Sequence, residues 1–99
     1  MSPDQIRGIL LELSKLAAMS PPGDSVSRIL ERIASDLRYA GEDEERQRSV
    51  IREILTLYQG GMGSFQDYVL QDSSGVRPEH QRFDDLRRRL FVAAVEKLR

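Results

Sequence analysis

The side chains able to serve acid–base or nucleophilic chemistry in this 99-residue chain reduce to His80, Glu79, Asp67, Asp84, Asp85, Tyr58, Tyr68 and Ser64. General acid–base catalysis needs several such groups converging on one point, geometry first and pKa second. The spacing does not supply it. His80, the single histidine, stands in Pro78-Glu79-His80-Gln81 at the expected start of a helix, where a solvated polar side chain is the ordinary occupant. One histidine and no cysteine leave metal binding to carboxylates, and no acidic spacing matches a calcium loop or the Glu-x-x-His of di-iron bundles. Asp84 and Asp85 are adjacent, so on a helix they point in different directions and cannot jointly grip an ion. Ser64 sits in Met62-Gly63-Ser64-Phe65-Gln66, not in the Gly-x-Ser-x-Gly elbow that presents a nucleophile. The expectation is no catalytic residue, no metal ligand, no cofactor and no enzyme.

One segment departs from the rest of the chain. In Gly60-Gly61-Met62-Gly63-Ser64-Phe65-Gln66-Asp67-Tyr68-Val69-Leu70, three glycines in four positions give the backbone access to positive φ at little cost. Ser64 and Asp67 have the spacing of a variant capping box. The segment therefore reads as a tight turn followed by a short helix over 65–70. Two uses of it stand side by side. Met62, Phe65, Val69 and Leu70 could plug the open end of a helical bundle, or Met62 and Phe65 could be offered to a partner with Gln66, Asp67 and Tyr68 as polar contacts, aromatic and Met side chains being favoured in interface cores. An anion held on the glycine amides of the 60–64 loop is a further option. A Walker A loop is not, because no Lys-Ser or Lys-Thr closes it.

The elements that must position these residues are helices. Ser2-Pro3-Asp4-Gln5 combines a capping serine, proline at the first helical position and glutamine three residues on. Ile6, Ile9, Leu10, Leu13, Leu16 and Ala17 then recur at three-and-four spacing, and the helix is expected to stop near Met19 before Ser20-Pro21-Pro22-Gly23. Asp24 or Ser25 can cap a second helix with Val26, Ile29, Leu30, Ile33 and Leu37 on one stripe, ended at Gly41. Glu42-Asp43-Glu44-Glu45 suits the first turn of a third, whose stripe is Val50, Ile51, Ile54, Leu55 and Tyr58 and whose end falls at Gly60-Gly61. From Pro78, Phe83, Leu86, Leu90, Phe91, Ala94 and Leu98 mark a last helix. Stripes of this kind must be buried against one another, which predicts an all-α, single-domain bundle of four or five helices over residues 1–99, with a glycine-rich loop before a short helix.

Composition bounds the partners. Hydrophobic residues at 39% against 31% charged give enough apolar surface to collapse around one core. A net charge of −1 and mixed signs argue against nucleic acid, which calls for concentrated positive charge. Arg87-Arg88-Arg89 follows Asp84-Asp85 across Leu86 and reads as a solvated helix face; a helix placed in a DNA groove would need it exposed and unpaired. No apolar run approaches a membrane span, no signal-like leader opens the sequence, and without cysteine nothing ties the chain to an oxidising compartment. Cytoplasmic residence is the expectation, with no membrane partner.

The run Leu57-Tyr58-Gln59-Gly60-Gly61-Met62-Gly63-Ser64-Phe65-Gln66-Asp67-Tyr68-Val69-Leu70, followed by the Phe83-Asp84-Asp85-Leu86 helix, resembles a family of small uncharacterised bacterial proteins with a Gly-Gly-Met-Gly-Ser-Phe-x-Asp-like signature between helices. The likeness spans roughly the C-terminal half. Some relatives resemble immunity proteins of bacterial toxin systems, and that resemblance implies neutralisation of a cognate toxin by direct binding. The expected function is thus a protein-binding module, contacting its partner through Met62, Phe65, Gln66, Asp67 and Tyr68. A homodimeric structural or regulatory protein is the alternative, since a modest bundle gains stability by burying a leftover stripe in a second subunit.

Overall fold

A computed structural model describes residues 2–19, 24–59, 71–72, 75–76 and 78–99. Among them are four helices, α1 (Pro3–Ala17), α2 (Asp24–Ala40), α3 (Glu44–Thr56) and α4 (His80–Leu98), and a two-rung antiparallel ladder between β1 (Gln71–Asp72) and β2 (Gly75–Val76). The fold is an all-α bundle. Sustained alternation is absent from the sequence, and the ladder is correspondingly minimal, pairing Gln71 with Val76 and Asp72 with Gly75 in the connection ahead of α4.

Local signals set the helix ends. Ser2 Oγ accepts from the Gln5 amide while Gln5 Oε1 accepts from the Ser2 amide at 2.8 Å, a complete capping box in front of Pro3. Gly41 ends α2 at φ +56°, the left-handed conformation that favours glycine. Asp43 caps α3 by accepting from the Glu45 and Arg46 amides, with Glu44 and Glu45 in the first turn against the positive end of the macrodipole. At its far end α3 stops earlier than Gly60-Gly61 suggests. The amides of Leu57, Tyr58 and Gln59 bond three residues back, to Ile54, Leu55 and Thr56, so the last carbonyls are satisfied in a tightened turn before the glycines arrive.

The helices close a ring, α1 packing on α2 and α4, and α3 on α2 and α4. Cross-helix pairs give the directions. Arg32 of α2 is ion-paired with Glu53 of α3, and the 41–43 turn is short, so these two run antiparallel. Glu12, late in α1, holds Arg82, early in α4, at 2.8 Å. At the centre lie Ile6, Leu10 and Leu13 from α1, Leu30, Ile33 and Leu37 from α2, Ile51 and Ile54 from α3, and Phe83, Leu86 and Leu90 from α4. Where α1 and α2 meet, a serine takes a core position. Ser14 Oγ lies 3.1 Å from the Ser27 carbonyl, 2.9 Å from Ser27 Oγ and 3.1 Å from Glu31 Oε1, so the buried hydroxyl is fully used. Among the described residues no helix is long and apolar enough to cross a membrane.

Candidate functional site

The C-terminal end of α3 and the middle of α4 enclose a groove of about 790 Å³, within the size range of binding clefts. Leu55, Tyr58 and Gln59 form one wall; Asp84, Arg87, Arg88, Phe91, Val92 and Val95 form the other. Three-residue spacing brings Leu55 and Tyr58 onto the α4-facing side of the α3 end. Tyr58 is anchored by a hydrogen bond donated from its hydroxyl to the Arg87 carbonyl at 2.6 Å and by edge-on packing against Phe91, with ring centroids 5.1 Å apart. Burial pushes the Tyr58 phenol well above its ordinary pKa, the nearby Arg87 charge opposing this in part.

The polar floor is an ion-paired cluster. Arg87, expected on a solvated face, is buried with a side chain 9% exposed. Its guanidinium lies 5.2 Å from the Phe83 ring centroid and donates to Asp84 at 2.7 Å. The reason is the length of arginine, whose stem covers apolar surface while its head finds a carboxylate one turn back. Arg88 reaches the other Asp84 oxygen at 3.0 Å and is itself exposed. The hydrogen bond from Arg87 holds the Asp84 carboxyl below the usual range, with the Arg88 charge adding to it. Phe91, assigned by the sequence pattern to the core stripe, is 43% exposed and instead forms the lip of the groove beside Val92, at 54%.

Of the sequence-derived chemistry candidates, the groove gathers Tyr58 and Asp84. Asp85 turns to Arg89 at 3.1 Å, and His80 lies over Phe83 with ring centroids 6.4 Å apart. Met62, Phe65, Gln66, Asp67 and Tyr68, the residues proposed for partner contact, lie outside the described residues, as does the expected short helix over 65–70. The groove was missed because Arg87 and Phe91 share one side of α4 and a helical period cannot say how deeply each is buried. The clue available was Asp84 three residues before Arg87, a spacing that satisfies a buried guanidinium. Among the described residues no three His, Asp or Glu side chains come together in a way that could hold a cation. The groups present can hold one another and leave an apolar lip facing solvent.

Bundle and groove together define a small all-α protein with an aromatic-lipped, ion-paired surface cleft. Residues 24–79, more than half of the chain, match the family described as Domain of unknown function (DUF6966), and the protein belongs to that family. The matched stretch holds α2, α3, the glycine-rich run and the ladder, and stops as α4 begins. No curated protein and no solved structure is similar to the chain.

Proposed function

We propose that this protein is a binding module without chemistry of its own, holding a partner protein on the face formed by the end of α3 and the exposed side of α4. The observation that supports this most directly is the placement of Phe91, packed on Tyr58 yet exposed, on an apolar lip the bundle core does not use. Surface aromatics next to a partly charged rim are the usual anchors of protein interfaces. Met62, Phe65, Gln66, Asp67 and Tyr68 follow Gln59 within nine residues of sequence and are the further partner contacts of this reading. The partner in this reading presents an apolar side chain to the lip and a carboxylate to Arg88. Resemblance to immunity proteins supports a toxin as that partner, neutralised by direct binding. A cysteine-free chain suits the cytoplasm as the place of action.

The test has two arms. A partner captured with the tagged protein from cells that make it is purified and titrated calorimetrically against wild type, Phe91→Asp and the Phe65→Ala, Tyr68→Ala double variant, each with verified helicity. Binding weakened at least tenfold by both variants supports the face, whereas equal binding by all three removes it. In the second arm, growth restored by wild type but not by Phe91→Asp in cells producing the captured protein supports neutralisation; no effect on growth leaves a binding module without an immunity role.

A further inference from the structure

The solvent-facing ridge of α4 carries an ordered charge pattern. Val92, 54% exposed, stands at its centre. Four residues before it is Arg88 and four after it Glu96; seven before it is Asp85 and seven after it Arg99, all exposed. Steps of four and seven residues return to nearly the same side of an α-helix, so Asp85, Arg88, Val92 and Glu96 form one strip, and Arg99 follows it as the residue that caps α4. Reversing the strip end for end exchanges each position with one of opposite charge. Such a surface is complementary to itself under a two-fold axis through Val92, the relationship an isologous dimer requires.

We propose that this ridge is a self-association surface, on which α4 of a second copy lies antiparallel, Val92 against Val92, with Arg88 facing the partner's Glu96 and Asp85 facing the partner's Arg99. Within one chain Arg88 is bonded to Asp84 at 3.0 Å and Asp85 to Arg89 at 3.1 Å, both exposed pairs that exchange partners at little cost. Glu96 and Arg99 make no ion pair among the described residues and gain one each. A single helix crossing gives an interface at the small end of the specific range, so the dimer is weak and dependent on concentration. Arg88 and Val92 also line the groove, so a second copy seated on this ridge and a partner held in the groove exclude one another.

The test is sedimentation velocity from low micromolar to near-millimolar protein on wild type, Arg88→Glu, Glu96→Arg, the double reversal and Val92→Asp, with circular dichroism confirming that each is folded. Wild type dimerises as concentration rises. Either single reversal sets like charges opposite each other twice per dimer and raises the dissociation constant about tenfold. The double reversal restores dimerisation although it does not restore the Asp84 pairing, and Val92→Asp abolishes it. A wild type that stays monomeric throughout, single reversals without effect, or a double reversal no better than the singles overturns the proposal.

Discussion

The Tyr58 hydroxyl and the backbone carbonyl of Arg87, 2.6 Å apart, tie the turn that follows α3 to the middle of α4 across 29 residues of sequence. The tie fixes the turn that closes α3, and it keeps Phe91 at the groove lip by giving its ring something to pack on. Tyr58→Phe keeps the ring and deletes the hydrogen bond, with an expected loss of about 1 kcal/mol in urea unfolding. Tyr58→Ala removes the packing on Phe91 as well and costs about 3 kcal/mol.

Tyr58 also gives the protein a signature in alkali. Its folded-state pKa lies above the unfolded value of about 10, so the unfolded chain loses this proton first and stability falls as pH rises past that value. The wild type is therefore expected to lose stability between about pH 9 and 11 more steeply than Tyr58→Phe, which lacks the group. Equal slopes for the two proteins would show that the phenol is not desolvated.

At acid pH the sign reverses and the residue changes. Asp84 is held below the ordinary carboxylate range by Arg87, so its contribution is complete above the unfolded value of about 4 and is lost as pH falls through the folded one. Asp84→Asn leaves Arg87 over Phe83 without its counter-charge and costs about 1 kcal/mol at neutral pH, the partial exposure of the carboxylate limiting the effect. Comparing the two proteins in urea at pH 7 and near pH 3 checks this: the difference between them should shrink in acid.

Ser14 is expected to be intolerant of larger side chains. Its hydroxyl is buried between α1 and α2 among Ser27 and Glu31 atoms. Ser14→Ala removes those bonds for about 1 kcal/mol, and Ser14→Leu forces the helices apart for about 2–3 kcal/mol, readable as a lowered denaturation midpoint.

Gly41 isolates a purely conformational cost. A Cβ there would meet nothing within 4 Å, yet φ is +56°. Gly41→Ala should destabilise by about 1 kcal/mol without changing the structure around it, and Gly41→Asn by less, since asparagine enters this region more readily.

The four described helices, their order and most of the core were legible because apolar spacing, Ser2, Gly41 and the acids at 42–45 all point to these segments, while the choice between four and five helices stayed open. What escaped was decided in three dimensions. Ala34, Ala40 and Ala93 are buried because close helix contact selects small residues, and composition alone does not mark them. Arg87 is buried because Asp84 and the Phe83 ring receive its guanidinium, and Phe91, one turn on, falls at the edge of the bundle against Tyr58. The groove lies between these two residues, so its lip was read as core and its floor as solvated surface.

The ring of contacts has one further consequence. Antiparallel neighbours all the way round bring residue 3 of α1 and residue 98 of α4 to the same end of the bundle as the 41–43 turn. The seam between α1 and α4, crossed by the Glu12–Arg82 ion pair, is of the same kind as the seam between α2 and α3, crossed by Arg32–Glu53. A circular permutant with residues 2 and 99 joined by a flexible linker and the backbone opened within 41–43 would keep every helix in place and leave the groove end untouched.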